Sequence, residues 1–313
     1  MLPRFEYYAP TDILEACKLK AAGAKPVAGG TDVYVNMHGG KEQAAQVLDL
    51  KGLKELQGQR LTPEGLDLGA LTTHRHIEEW EAVRGRYYAL YQGCSQVGSV
   101  QIRYRGTLGG NIMNGAPSAD SVGPLLVHGA EAVVVGLAGE RRIPLEKFYV
   151  GFKKFDLLPE ELLARIFVPL PPDHAGSAYY KYTRRSAMDL ALMGVSAYAE
   201  VREGVLENVR VALTTAGPTP MRSHAAEAVL EGNRVSDDLI VRAAEAAAAE
   251  GKPRSSWRSS AEFRTRLIHD VMIQVLHEAV RRAGLPPEKK AEAIPQKLYP
   301  GQIGKEGVTH ANG

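Results

Sequence analysis

The stretch "RGTLGGNIMNGAPSAD" (residues 105–120) decides how this chain reads. Two adjacent glycines, an asparagine, a second Asn-Gly step and a proline follow one another, with charge only at its ends, on Arg105 and Asp120. Upstream, "PVAGGTDVYVN" (residues 26–36) uses the same ingredients. Glycine permits positive φ and lets a ligand approach the backbone without meeting a Cβ. Consecutive N–H groups in such a turn make a nest for phosphate oxygens that needs no lysine. The first segment places a nest at Gly29 and Gly30, the Thr31 hydroxyl beside it, and then a short helix whose N-terminus favours an anion. The second repeats the recipe with Thr107, Gly109, Gly110 and Asn111. Two such loops suit a diphosphate held from both sides, as in a dinucleotide, with Asp120 downstream to accept from a ribityl or ribose hydroxyl. Neither loop is GxGxxG or GxxxxGK[ST], so a Rossmann or P-loop reading has no support. The competing reading is that each Gly-Gly is merely a tight turn.

The rest of the composition narrows the field. With 313 residues, 44% of them hydrophobic, the chain is an ordinary globular one of one large or two medium domains. A formal net charge of +2 argues against a dedicated nucleic-acid binder. No apolar run reaches the length of about 18 residues that a membrane helix needs, and "MLPRFEYYAPTD" is no signal peptide, so a cytoplasmic location is expected. Cys17 and Cys94 are the only cysteines. They cannot ligate an iron–sulfur cluster or an all-thiolate zinc site, and both read as buried small side chains.

Along the chain, "TDILEACKLKAAGAK" reads as a helix capped by Thr11 and stopped at Gly23, and "KPVAGG" as a strand running into a turn. "AQVLDL" (45–50), "LDLGAL" (66–71), "AEAVVVGL" (130–137) and "LLARIFVPL" (162–170) read as strands, and "TTHRHIEEWEAV" as one helix. "VPLPPDHAGS" (168–177) is the best domain boundary. Three strand candidates follow it ("AYYKYTRR", "LMGVSAYAEV", "LENVRVALTTAG"), then "DDLIVRAAEAAAAEG" and a long helix from about Ala261 to Ala283. Ser259 and Glu262 read as that helix's capping box. Three meandering strands with helices make a small α+β domain. Residues 285–313, rich in Pro, Gly and Lys, read as an extended or disordered tail.

"AGGTD", "QIRYRGTLGGNIMNGAPSAD" and "AYYKYTRRSAMDLALMGVSA", in that order, resemble the FAD-binding medium subunits of the molybdenum hydroxylases. These include the medium subunit of aerobic carbon monoxide dehydrogenase and the flavin domain of xanthine dehydrogenase. The resemblance runs from "RFEYYAPTDILEA" to "EFRTRLIHDVMIQVLHEAV", nearly everything before the tail. It implies an α+β chain with a vanillyl-alcohol-oxidase, PCMH-type FAD-binding fold over residues 1–175, in subdomains of about 1–55 and 56–175. A C-terminal domain over 176–284, with a three-stranded antiparallel sheet and helices, would follow. Position by position, the resemblance implies that Pro26, Val27, Ala28, Gly29, Gly30, Thr31, Asp32 and Val33 wrap the FAD diphosphate. Thr107, Gly109, Gly110 and Asn111 would make the second grip, and Asp120 would reach the sugar–alcohol portion. Val97 and Leu157 match apolar contacts, and Lys181 a lysine near the flavin that stabilises negative charge as electrons arrive.

Two departures from relatives stand out. Leu190 follows Asp189 where the carbon monoxide dehydrogenase subunit has a tyrosine beside the flavin. The region after the GGN motif lacks cysteine, so the extra [4Fe–4S] cluster of 4-hydroxybenzoyl-CoA reductase is not expected.

The resemblance implies an electron-transfer subunit with no catalytic residue of its own, because the isoalloxazine does the chemistry. A small [2Fe–2S] subunit would deliver electrons from a large molybdenum-cofactor subunit, in a heterotrimer or its dimer, and a soluble acceptor would take them away. A stand-alone FAD oxidase or reductase is the alternative, and a scaffold that has lost FAD a more distant one. His74 and His76 make a poor metal pair without a third ligand, and no metal site is expected. Arg103 and Arg105 suit either steering of an anionic acceptor or a structural role, and "TRRS" (183–186) either a partner contact or a solvated surface. No hydrolytic constellation is present.

Overall fold

The strands Glu6–Tyr8, Gln46–Asp49 and Lys25–Val27 lie side by side in that order, all parallel. Parallel neighbours need crossover connections, and here these carry the helix Ile13–Ala21 and the segment that becomes the first glycine loop. The computed structural model describes residues 2–292. In it the N-cap of Ile13–Ala21 is Asp12 rather than Thr11: the Asp12 carboxylate accepts from the Glu15 amide at 2.8 Å. Aspartate outcompetes the preceding threonine because its charge also favours the helix N-terminus. Gly23 follows the helix with φ +100°, as a stop signal requires.

A second sheet is antiparallel, in the order Gln59–Thr62, Gly65–Gly69, Leu162–Pro169, Glu131–Gly136, Gly139–Pro144. Leu162–Pro169, the last of these in sequence, is its central strand, wedged between two hairpins. Leu163, Ile166 and Val168 are buried in the core, and the strand packs against the helix Leu108–Asn114. The segment "TTHRHIEEWEAV" is two helices, His74–Glu79 and Glu81–Arg86, broken at Trp80, whose backbone is extended.

The third sheet is an antiparallel meander of Ala175–Tyr182, Met193–Arg202 and Val205–Thr214, with a two-residue fourth strand, Met221–Arg222, that the sequence did not disclose. The long helix Ala261–Ala283 packs across it through Leu267, Val271, Val275 and Ala279. Each branched side chain so buried is worth about 1.5–3 kcal/mol. The approach is close: a Cβ on Gly176 would fall 2.1 Å from the Ala279 carbonyl oxygen. Ser260, not Ser259, caps this helix, accepting from the Phe263 amide at 3.2 Å.

Beyond Gly284 the chain does not at once become an extended arm. Pro287–Lys290 forms a helical turn, and the buried Lys290 ammonium donates to the Ala175 carbonyl at 2.6 Å. The remainder of the expected tail, 293–313, lies outside the described residues. Among the described residues no helix is long and apolar enough to cross a membrane.

Candidate functional site

The two glycine segments meet. Gly29 sits on the Arg105 carbonyl so closely that a Cβ there would lie 1.9 Å from its oxygen. A Cβ on Gly110 would come 4.0 Å from that of Ala28. Between and beside them runs a cavity of about 690 Å³, a size suited to a small molecule or cofactor.

The two walls are built differently. The first follows the strand Lys25–Val27, whose burial among Met37 and Val47 fixes where the loop starts. Gly30 turns it at φ +73°. The N–H groups of Gly29, Gly30, Thr31 and Asp32 have no acceptor among the described residues. The helix that follows, Val33–His38, is only six residues long and is preceded by an acidic Asp32, so bare amides rather than a macrodipole are what this wall offers.

The second wall corrects the sequence expectation of a second nest. "TLGGN" is not a loop: Leu108–Asn114 is a helix with Thr107 as its N-cap. Its amides are already committed, Leu108 to the Thr72 carbonyl, Gly109 to Ala70, Gly110 to the Thr107 hydroxyl at 3.0 Å and Asn111 to the Thr107 carbonyl. Gly109 is there for packing, since a Cβ would lie 2.6 Å from that of Ala70. What this wall presents is side-chain chemistry. The Thr107 hydroxyl accepts from Gly110 and keeps its own proton to donate. The Asn111 carbonyl oxygen is held by Ser121 at 2.7 Å, which leaves its N–H groups to donate.

Of the residues singled out from sequence, Pro26, Ala28, Gly29, Gly30, Thr31, Asp32, Val33, Val97, Thr107, Gly109, Gly110 and Asn111 line this one cavity. Four do not. Val27 is buried beneath the loop. Leu157 is half-buried against the outside of the core, while Lys153 and Phe155, from the hairpin just before it, reach the cavity instead. Asp120 and Lys181 form a buried ion pair, Nζ to Oδ2 at 2.7 Å, with Tyr179 donating to Oδ1 at 2.8 Å. Burial pushes the Asp120 carboxyl up, against the pull of Lys181 and Tyr179. The pair stands one residue behind the wall: Lys181 also donates to the carbonyl of Gln96, beside Val97, and Ser121, next to Asp120, holds Asn111.

Electrostatics favour an anion. Lys20, Lys25, Lys41 and Lys153 line the cavity against Asp32, Glu42 and Glu161. Lys25 pairs with Glu42, and Arg141 holds Glu161 by two bonds of 2.7 Å and keeps its carboxyl below the usual range. Desolvation raises the Asp32 carboxyl above its ordinary value, with Lys153 pulling the other way.

From sequence His74 reads only as half of a poor metal pair, and the structure gives it another setting. It is 1% exposed and on the cavity wall, while His76 faces solvent. Its backbone donates to the Gly106 carbonyl, its imidazole has no hydrogen-bond partner among the described residues, and Nδ1 is fully buried. Burial, and secondarily Arg103, lowers its pKa to about 4, so the ring is neutral. No sequence signal announces a buried histidine lacking a partner.

Arg103 is bound to Glu78 at 2.9 Å and to the Val97 carbonyl, which favours its structural reading. Leu190 is exposed and away from the cavity, its carbonyl accepting from Arg258.

Most of the chain is similar to known proteins. The family described as the FAD binding domain in molybdopterin dehydrogenase matches residues 3–171, and the CO dehydrogenase flavoprotein C-terminal domain matches 178–279. The chain is 35% identical over 282 residues to the putative xanthine dehydrogenase FAD-binding subunit of Escherichia coli (strain K12), covering 89% of this chain and 97% of that one. It is 29% identical to the carbon monoxide dehydrogenase medium chain of Hydrogenophaga pseudoflava, over 90% of this chain and 98% of that one. Among solved structures, carbon monoxide dehydrogenase from Hydrogenophaga pseudoflava superposes with a TM-score of 0.87 at 30% identity, over 90% of this chain and 99% of that one.

Proposed function

The chain belongs to the family of FAD-binding subunits of the molybdenum-containing dehydrogenases, and from that membership we propose that it carries FAD as the exit station of a multi-subunit electron-transfer chain. The observation that carries the reading is the facing of four uncommitted amides, Gly29 to Asp32, by the Thr107 and Asn111 side chains across one cavity. The residues fit a diphosphate. The amides would take its oxygens from one side, and the Thr107 hydroxyl and Asn111 amide would donate from the other. Pro26, Ala28 and Val33 shape the first wall, and Gly110 keeps the second flush with it.

At the Val97 end, Asp120 and Lys181 are the polar groups for the sugar–alcohol and flavin portions. A carboxylate has about four acceptor sites, and Asp120 uses two in its bonds to Tyr179 and Lys181. The pair lies behind the Gln96–Val97 wall, so a hydroxyl would reach those sites only where that segment gives way. The Lys181 ammonium would then hold positive potential close to Val97, an electrostatic role that requires no proton transfer. When bound, FAD would accept electrons singly from iron–sulfur clusters and release them to an acceptor.

Cys17 and Cys94, both buried and unpaired with each other, cannot ligate a cluster. We assign the [2Fe–2S] clusters to a small partner subunit and the molybdenum cofactor, with the substrate, to a large one, in a heterotrimer or its dimer in the cytoplasm. A soluble molecule would take the electrons. The test is purification of the chain with its co-expressed partners. A flavin absorbance spectrum with an iron–sulfur and a molybdenum polypeptide in the same fraction is expected. A colourless chain that takes up no added FAD overturns the cofactor assignment, and a flavinated chain that oxidises a substrate alone favours the stand-alone enzyme.

A further inference from the structure

Lys181, buried beside Asp120 just behind the cavity wall, leads directly into a surface that the cofactor reading does not use. The next residue, Tyr182, packs its ring on Phe263, centroids 6.0 Å apart. The loop 183–192 there meets the turn that precedes the long helix Ala261–Ala283. Arg258 donates to the Leu190 carbonyl and Arg264 to that of Leu192. Four large apolar side chains stand in solvent along this junction. Trp257 is 87% exposed, and Met188, Leu190 and Phe263 between 41% and 64%. Exposed apolar residues gathered in one place and bordered by polar ones mark a surface that another molecule covers.

The border is cationic. Arg185 is held by Asp189, but Arg184, Arg254 and Arg258 form no ion pair among the described residues. Arg264 is buried and reaches only the Leu192 carbonyl and the Ser256 hydroxyl, both neutral. Burial, and after it the charges of Arg258 and Arg254, pull its pKa down. Two guanidinium groups thus repel a third with no carboxylate paired to any of them, and an anionic partner would relieve this. Guanidinium, Trp and Met side chains are also those that interfaces favour.

We propose that the surface around Trp257 docks the cluster-bearing face of the [2Fe–2S] partner subunit. This rests on the multi-subunit reading above and adds to it the place of contact. A cluster held by four thiolates is anionic in either oxidation state, because thiolates and sulfides outweigh its two irons. The unpaired arginines supply the opposite charge. Contact beside Tyr182 also brings the cluster close to Lys181, the lysine assigned to the flavin, and electron transfer falls steeply with distance. A second copy of this chain would set the same arginines against each other across a two-fold axis.

The test uses the co-expressed complex, with Trp257 replaced by the photo-cross-linker benzoylphenylalanine. Trp257→Ala and Arg184→Glu/Arg254→Glu are compared with wild type by dilution of the complex. Each variant chain by itself should melt at or near the wild-type temperature, since these side chains are exposed. Illumination should join this chain to the iron–sulfur polypeptide. Trp257→Ala should raise the Kd for the partners about thirtyfold, the size of an interface hot spot. The charge reversal should weaken binding at low salt and flatten its dependence on ionic strength. A cross-link to the molybdenum polypeptide or to a second copy of the chain, or none in an intact complex, overturns the proposal. So does a wild-type Kd in Trp257→Ala, an unchanged salt dependence in the charge reversal, or a Trp257→Ala chain that melts well below the wild type. Absence of any iron–sulfur polypeptide from the wild-type complex would instead sink the multi-subunit reading.

Discussion

The Lys181 ammonium lies 2.7 Å from the Asp120 carboxylate, both side chains less than a tenth exposed, one in each of the two family segments that the chain matches. Taken from the sequence these residues have separate tasks; in the structure each is the other's counter-charge. Breaking a buried pair from one side leaves an uncompensated charge and costs about 3–5 kcal/mol. Asp120→Asn should therefore lower the stability of the flavin-free chain by that order in urea denaturation. The double variant Asp120→Leu/Lys181→Met should lose less than the sum of its parts, because the surviving charge is gone too. Additive losses would mean that the two groups are independently solvated.

Glycines 29 and 40 separate a ligand-site requirement from a backbone one. Gly40 has φ +69° with nothing within 4 Å of a built Cβ, so Gly40→Ala should cost on the order of 1 kcal/mol of stability and leave FAD content intact. Gly29 has ordinary φ, but its Cβ would collide with the Arg105 carbonyl. Gly29→Ala must push the first wall off the second, and the purified protein should lose most of its flavin absorbance. Full flavin in Gly29→Ala would detach the wall contact from cofactor binding.

The first wall was legible because a nest is written locally: two glycines, a hydroxyl and no bulky neighbour are enough to specify it. The second was misread for an equally physical reason. "TLGGN" contains two poor helix formers, and local propensity gives no hint that Ala70 and Thr72 would accept the Leu108 and Gly109 amides and hold the turn in helical form. The same limit hid the Met221–Arg222 strand, which exists only as an edge against Ala212 and Leu213. His74 escaped because a missing partner is a property of three-dimensional surroundings. The central strand Leu162–Pro169 was visible as a β-branched run, yet its position between hairpins is set by pairings up to about a hundred residues away along the chain.

Thr107 has two tasks that can be separated. Its oxygen caps the Leu108–Asn114 helix, and its hydroxyl, on the cavity wall, keeps a proton to donate. Thr107→Val removes both, with a loss of about 1 kcal/mol from the cap and weaker FAD binding on top. Thr107→Ser keeps both and should behave as wild type in melting temperature and Kd. If Thr107→Val binds FAD normally after correction for the stability change, the hydroxyl proton is not a cofactor contact.

Acid should loosen the flavin-free fold through its buried histidines. The His74 pKa is lowered from 6.5 to about 4, and that of His128, buried against Ser177, to about 3. Between those values and the unfolded value near 6.5, the unfolded chain binds protons that the folded chain refuses. Stability therefore rises with pH across that window. The contribution is fully present above about pH 6.5 and is lost as the pH falls towards the folded values. For His74 the whole span is worth roughly 3 kcal/mol, of which about 2 kcal/mol is gone by pH 5. Denaturation midpoints of flavin-free wild type should fall steeply from pH 7 to pH 5, and those of His74→Phe should fall less, since one of the two groups no longer titrates in the unfolded state. Parallel curves for the two proteins would show that His74 is already free to take a proton in the folded chain.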